Sequence, residues 1–299
     1  MKAAIVTKYG VPEGLKLVDL YKPSPKDNEV LVKIHATTVT FGDAMLRRMK
    51  LPSRLVLGHF MGGLGKGKIL GHEFAGEIES VGDEVTLFKP GDEIFGSAGM
   101  KGGANAEYLT IPESAMFTIK PNNMTFEEAA AVPIGAHTAY NILKKANIQE
   151  GQDVLVYGAS GSVGTYALQL AKYWGSNVTG VSSKPNHELL KSLGSDYVID
   201  YKTESFLENG EQYDVIFDAV RKLSSSEVKN SLKPTGIFHS TREPINETRE
   251  NLVFIRNLIE NGRLRAIIDQ TFPLEQIVDA HRYVDSGRKK GNVVITVAL

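Results

Sequence analysis

The spacing of apolar and polar positions divides the chain into two regimes. Up to about residue 120, short stretches rich in Val, Ile and Leu recur between Gly, Pro and Asp turns: Lys2–Lys8, Lys16–Leu20 and Glu29–Thr37. Phe74–Val81 alternates and is closed by Gly82-Asp83, and Asp92–Phe95 and Ala106–Ile111 continue the series. Regular short strands with turn punctuation predict a small barrel or sandwich. Between them, Leu51–Lys68 is glycine-rich and has no pattern. A mobile loop beside an active site is expected there, since long loops of this kind are functional or disordered. Thr125 followed by Glu128 has the form of a capping box, so Thr125–Ala131 should begin a helical bridge into a second domain.

Past Asp153 the period changes. The apolar run Val154–Tyr157 has the length of a buried parallel strand, and the glycine turn Gly158–Gly164 follows it. Val163, Ala167, Leu168, Leu170, Ala171 and Trp174 then stand at helical spacing, Gly175 ends that helix, and Val178–Val181 reads as the next strand. Strand, glycine turn, helix and strand form the first unit of a dinucleotide-binding Rossmann fold. A helix over His187–Leu193, strands at Tyr197–Ile199, Tyr213–Asp218 and Gly236–Ser240, and a helix over Glu247–Glu260 come next. The tail predicts a helix over Pro273–Asp285 and a strand at Val293–Val297. Alternating strands and helices imply a doubly wound parallel sheet with right-handed crossovers.

The turn reads A-x-G-x-x-G from Ala159, with alanine where the first glycine of the usual fingerprint sits. Gly161 lets backbone approach a pyrophosphate and Gly164 lets the helix lie against the strand. Ser160, Gly161, Ser162 and Val163 are expected to offer backbone donors at the positive end of the helix. A site for NAD wants an acid about 20 residues on for the ribose 2′-hydroxyl. Ser182, Ser183 and Lys184 stand there instead, and two hydroxyls with a cation suit a 2′-phosphate. NADPH is therefore expected over NADH.

Composition narrows the alternatives. A length of 299 residues favours two domains, and 42% hydrophobic with 23% charged residues is ordinary for a globular chain. A net charge of −1 gives no field to draw nucleic acid or an anionic membrane. With no cysteine, disulfides, thiolate catalysis and Cys-ligated zinc are excluded. The start of the chain lacks the apolar core of a signal peptide, and no run approaches the roughly 18 apolar residues of a membrane span. A cytoplasmic location is the expectation.

Several motifs together resemble the medium-chain dehydrogenase/reductase superfamily, and within it the zinc-free quinone oxidoreductase (zeta-crystallin-like) branch. They are VKIHATTVTFGD (Val32–Asp43), GHEFAGEIESVGDEVTLFKPGDEIFG (Gly71–Gly96), AEYLTIPE (Ala106–Glu113), AAAVPIGAHTAY (Ala129–Tyr140), the GASGSVG turn, VIDY (Val198–Tyr201) and AHRYVDSGRKKGNVVITV (Ala280–Val297). The resemblance implies an α/β protein. An N-terminal GroES-like β-barrel domain would carry the substrate site over residues 1–120, completed by 266–299, with a Rossmann NADP-binding domain over 121–265. It also implies Tyr201 near the adenosine, Ala219 and Val220 beside the adenine-side ribose, and a returning loop at Gly291 and Asn292 near the cofactor. Arg221 stands where the family has a glycine. His239 and Ser240 end a strand and should face the nicotinamide, because ligands gather at the carboxyl ends of parallel strands. Dimers along the nucleotide-domain sheet edge are implied as well.

In the zinc enzymes of this superfamily a cysteine lies where this chain has Thr40, and a second ligand falls at Ile134. Only His72, in Gly71-His72-Glu73, matches a ligand position, and the stretch Gly96–Ala106 is too short and cysteine-free for a structural zinc lobe. One His beside one Glu does not make a tetrahedral site, so no metal is expected. Oxidising an alcohol calls for a Lewis acid to hold the alkoxide. Hydride addition to a quinone or to the β-carbon of an enone sends charge to an oxygen that hydrogen-bond donors can hold. The expected activity is thus NADPH-dependent reduction of quinones or α,β-unsaturated carbonyls. The expected donors are Thr40, with His72 or His59; Thr138 resembles the family threonine near the nicotinamide, and Asp43 would orient the group. The last proton could come from water. A metal-free alcohol or aldehyde oxidoreductase, suggested by His72-Glu73, and a non-catalytic NADPH-binding protein are the alternatives.

Overall fold

The computed structural model describes residues 1–50 and 65–297. The Leu51–Lys68 loop expectation and His59 fall largely outside the described residues. Two compact units emerge, one from Met1–Pro133, Thr248–Asn257 and Ile268 onward, the other from Ile134–Glu247 and Leu258–Ile267.

The first unit begins with β1 (Lys2–Val6), β2 (Leu15–Asp19), β3 (Glu29–Thr38), α1 (Phe41–Arg48), β4 (Lys68–Ile69), β5 (Glu73–Val81), β6 (Glu93–Ser97), β7 (Tyr108–Pro112), β8 (Phe117–Ile119) and α2 (Phe126–Ala130). Among the described residues, β2-β1-β4 form one small sheet, and β3, β5, β6 and β8 pair in that order with β7 also on β3. Val30, Val32 and Ile34 on β3 are fully buried with Phe74, Ile78, Ile94 and Phe117. That is the period-2 alternation of strands with one face to a core. The capping box expected at Thr125 forms in full: Glu128 N–H donates to the Thr125 hydroxyl at 3.2 Å and Thr125 N–H to the Glu128 carboxylate at 3.0 Å.

The second unit contains α3 (Pro133–Lys145, from Ile134 on), β9 (Asp153–Tyr157), α4 (Ser162–Tyr173), β10 (Asn177–Ser182), α5 (His187–Ser192), β11 (Tyr197–Asp200), β12 (Tyr213–Asp218) and β13 (Leu232–Ser240). The sheet order is β11-β10-β9-β12-β13, every pair parallel. The first strand is therefore central, and successive strands leave it in opposite directions. All five carboxyl ends lie on one edge, where crossovers diverge between β9 and β12; this is the place where doubly wound sheets bind ligands. Gly164 makes the tight packing of α4 possible: a Cβ there would sit 2.2 Å from Gly158 O and 2.7 Å from Ala159 Cα.

The helix α6 (Arg249–Glu260) leads out, and the tail supplies β14 (Ile268–Pro273), α7 (Ile277–Asp285) and β15 (Asn292–Thr296). β15 joins the first unit's larger sheet antiparallel to β3, with β14 parallel beside it. The sequence pattern predicts a helix over Pro273–Asp285 and no strand before it. Pro273, which cannot donate to a ladder, instead closes β14, and α7 starts only at Ile277. β8 and α1 likewise go beyond the elements that the sequence pattern predicts. Among the described residues, no helix is long and apolar enough to cross a membrane.

Candidate active site

Thr40, two residues past the end of β3, is extended (φ −84°, ψ 167°) and caps α1. Asp43, three residues on, closes a capping box. Its carboxylate is fully buried and collects four donors. Thr40 N–H (2.8 Å) and the Thr40 hydroxyl (2.6 Å) reach Oδ2; Gly71 N–H (3.0 Å) and His72 Nδ1 (2.7 Å) reach Oδ1. Gly71 has φ +94°, and a Cβ there would lie 2.5 Å from Asn105 Oδ1, so only glycine brings this N–H onto the carboxylate. Burial pushes the Asp43 pKa up. The His72 charge and hydrogen bond, and the Thr40 bonds, outweigh that and hold it well below the usual carboxylate range. Asp43 is thus a fixed anion that orients the His72 ring through Nδ1.

The geometry changes one expectation. The Thr40 hydroxyl proton is given to Asp43, while its oxygen accepts from Asp43 N–H at 3.0 Å, so the hydroxyl is turned inward rather than toward a substrate. The neighbouring Glu73 diverges from His72, its carboxylate accepting from the Thr38 hydroxyl at 2.5 Å. Thr138 is buried on α3, in the other unit.

Behind the Asp43 group lies a second set that sequence reading missed. Arg47, on α1 and fully buried, donates from Nε to His281 Nδ1 (3.3 Å), from Nη1 to Gly10 O (3.0 Å) and from Nη2 to Asp285 (2.5 Å); Arg48 also pairs with Asp285. His281 is pushed down from 6.5 to about 4, first by burial, with the Arg47 and Arg48 charges adding and Asp43 and Asp285 opposing. Between these pH values the unfolded chain binds a proton that the native protein refuses. Stability is therefore lost as pH falls from 6.5 toward 4, by about 3 kcal/mol from this group. His281→Gln, which keeps an acceptor for Arg47, is expected to flatten that part of the profile in urea unfolding at pH 7 and pH 4.5. Asp43 acts in the same sense at lower pH: its depressed pKa contributes stability that is complete above the ordinary carboxylate range and disappears only in strong acid.

Also missed was Lys289, whose ammonium donates to Gly291 O at 2.7 Å and is pushed down to about 8, chiefly by burial, against the pull of Glu73 and Asp269. It sits with Gly291 in the loop before β15, which opens at the buried Asn292.

In the second unit, the expected nucleotide residues gather along the carboxyl edge of the parallel sheet. Ala159 N–H and Gly161 N–H are spent on Val181 O (3.0 Å) and Gly158 O (3.1 Å), so the remaining donors of the turn lie at Ser160 and in the first turn of α4. Ser162 and Val163 open α4. At the end of β10, Ser182 is buried, Ser183 is half-buried and Lys184 is exposed. Asn186, not singled out from sequence, donates from Nδ2 to Ser160 Oγ (3.1 Å) and Ser183 Oγ (3.2 Å). Tyr201, half exposed, lies next to them, its N–H on Ser182 O at 3.2 Å.

Past β12, the buried Asp218 accepts from Val220 N–H (3.0 Å) and Leu223 N–H (2.8 Å), shaping the Ala219–Val220 turn. Arg221, standing where the family has glycine, adopts φ +60° and anchors its guanidinium on Thr241 O at 2.8 Å. His239 Nδ1 meets Glu243 at 2.8 Å, and Ser240 N–H donates to the same carboxylate oxygen.

These residues fit a dinucleotide. Gly161 leaves open space, with only Gly158 O within 4 Å of its virtual Cβ, at 3.5 Å. The buried Asn186 Oδ1 has no partner among the described residues. A metal fits less well: no group of three His, Cys, Asp or Glu side chains is placed to hold one among the described residues.

Comparison with known proteins points in one direction. Residues 26–121 match the alcohol dehydrogenase GroES-like domain, and 162–242 and 236–295 match two zinc-binding dehydrogenase models. The chain is 33% identical over 327 residues to 2-methylene-furan-3-one reductase of Solanum lycopersicum, spanning 99% of this chain and 79% of that protein. It is 29% identical to the chloroplastic NADPH-dependent alkenal/one oxidoreductase of Arabidopsis thaliana, over 99% of this chain and 79% of the relative. Among solved structures, the quinone oxidoreductase of Coxiella burnetii superposes with TM-score 0.87 at 27% identity, covering 100% of this chain and 99% of that one. The chain belongs to the medium-chain dehydrogenase/reductase superfamily, in its quinone oxidoreductase branch.

Proposed function

We propose that the protein is a zinc-independent, NADPH-dependent oxidoreductase that reduces quinones or α,β-unsaturated carbonyls. The observation that carries the cofactor choice is the end of β10, where Ser182, Ser183 and Lys184 stand and the acid of an NAD site is missing. The relatives named above reduce the same kinds of acceptor, and the absence of cysteine leaves the family's zinc ligand set without its thiolates.

The nicotinamide, when bound, supplies a hydride. The Ser160 and α4 N–H groups would bind the pyrophosphate, and Ser183 and Lys184 the 2′-phosphate. A reduced quinone or enone carries its new negative charge on oxygen. We assign His72 to hold that oxygen and pass it a proton, leaving a neutral imidazole whose Nδ1–H still rests on Asp43. Asp43 itself keeps its charge throughout, because its low pKa bars it from taking the proton. Thr40 is then a positioning residue, its hydroxyl locked on Asp43. A homodimer paired along an edge of the nucleotide-domain sheet and a cytoplasmic location complete the reading.

The test is a screen of NADPH oxidation over quinones, enones and aldehydes, with NADP⁺ reduction by primary alcohols alongside. Turnover of quinones or enones in chelator-treated protein is expected. Turnover of simple alcohols only after added zinc would contradict the reading, and NADPH binding without any acceptor would favour a non-catalytic role. Lys184→Ala is expected to raise the Kd of NADPH about tenfold and that of NADH less than about threefold, as titration by fluorescence will read. Equal losses would mean that Lys184 does not meet the 2′-phosphate.

A further inference from the structure

We propose that Asn186 sets the direction of two serine hydroxyls at the nucleotide site, and so acts as a positioning and specificity-determining residue for a cofactor bearing a 2′-phosphate. The proposal rests on the NADPH reading above and adds to it a residue that the glycine-turn and strand-end motifs do not contain.

Ser160 lies in the glycine turn and Ser183 just beyond β10, 23 positions apart in sequence. The Asn186 amide joins them, its nitrogen 3.1 Å from one hydroxyl oxygen and 3.2 Å from the other. An amide nitrogen carries two protons and accepts nothing. Both serine oxygens are therefore acceptors in these bonds, and each hydroxyl proton is left to point elsewhere. A hydroxyl that accepts one hydrogen bond is polarised toward donating another. The result is a pair of O–H donors facing away from the protein amide, the arrangement that a phosphate oxygen needs. If the amide were reversed, the carbonyl would draw both protons inward and leave lone pairs facing an anion.

Asn186 is itself well fixed. It is 9% exposed, and its backbone N–H donates to Ser183 O at 2.9 Å, so the side chain and main chain of Ser183 are both tied to it. Its Oδ1 is buried and lacks a partner among the described residues. An acceptor of that kind is left for a ligand hydroxyl, and a ribose carrying a 2′-phosphate still has one at its 3′ position. The same residue thus turns two donors toward phosphate and keeps one acceptor for sugar.

The test uses the full-length protein and two fragments, 2′,5′-ADP and 5′-AMP, titrated by calorimetry. In the wild type, 2′,5′-ADP is expected to bind more tightly than 5′-AMP. Asn186→Asp presents acceptors in place of the amide protons and adds a negative charge. It is expected to weaken 2′,5′-ADP about 100-fold and 5′-AMP less than about fivefold. Asn186→Ala should weaken 2′,5′-ADP about tenfold; in a Ser160→Ala/Ser183→Ala background it should cost both fragments only the same small loss of the sugar contact, because its effect on the phosphate runs through those hydroxyls. Equal losses for both fragments, or a full extra loss in the double-serine background, would overturn the proposal and leave Asn186 a structural residue. If the wild type binds the two fragments equally, the NADPH reading itself fails. If the wild type discriminates and Asn186→Asp discriminates equally well, the NADPH reading stands and only the role of Asn186 falls.

Discussion

Asp43→Ala is expected to lower kcat/KM for quinone and enone reduction about 100-fold or more and to destabilise the protein by about 3–5 kcal/mol. The two losses have one origin. Asp43 is fully buried and is the shared acceptor for the Thr40 amide and hydroxyl, the Gly71 amide and the His72 ring. Alanine leaves these donors buried and unpaired, and truncating one side of a buried charged pair is among the costlier single changes. The His72 ring also loses the contact that fixes its orientation and tautomer. Asp43→Asn should fall between, since its single carbonyl oxygen can serve only one half of the donors and its amide group opposes the other half. Chemical unfolding and steady-state kinetics on the same samples check both parts. Wild-type kcat/KM in a folded Asp43→Ala variant would remove His72 and Asp43 from the chemistry.

The second large effect comes from a pair of glycines three residues apart. Gly164→Ala places its methyl 2.2 Å from Gly158 O and 2.7 Å from Ala159 Cα, both backbone atoms that cannot swing aside. Moving the start of α4 away from the end of β9 is expected to cost about 3 kcal/mol and to abolish nucleotide binding with it. Gly161 is different. Its φ of −80° is open to alanine, and the nearest atom to a new Cβ is 3.5 Å away. Gly161→Ala should therefore melt within a few degrees of wild type. It should nevertheless raise the Kd of NADPH about 100-fold, because the methyl stands where the backbone must approach the pyrophosphate. Wild-type NADPH affinity in Gly161→Ala would show that the phosphates do not pass over this turn.

What could be read from sequence follows from how far apart the interacting residues are. The unit from β9 to β10 was legible because a buried parallel strand, a glycine turn and an amphipathic helix are all written within consecutive residues. The Thr125 cap was legible for the same reason. α1 was not, since its eight residues make only about two turns, too short a window to tell from a loop, and its cap uses Asp43 where the usual box has Glu or Gln. β14 was hidden by the helical pattern that follows Pro273 and by a parallel partner further along the chain. Thr40, Asp43 and His72 were identified from motifs, but the direction of the Thr40 proton depends on a carboxylate geometry that no motif encodes. Arg47 and His281 are 234 positions apart and meet only in the folded chain. Asn186 lies two residues past Lys184, where the sequence points to the 2′-phosphate, yet its role depends on Ser160 being brought to it by the turn.

The most direct measurement is to follow the label from NADPH deuterated at the transferring C4 position into an enone, in chelator-treated protein. Deuterium at the β-carbon of the saturated product, with one product formed per NADPH oxidised, is the expected result. Product without deuterium at that carbon, or no reaction with enones and quinones until zinc is added, would contradict it.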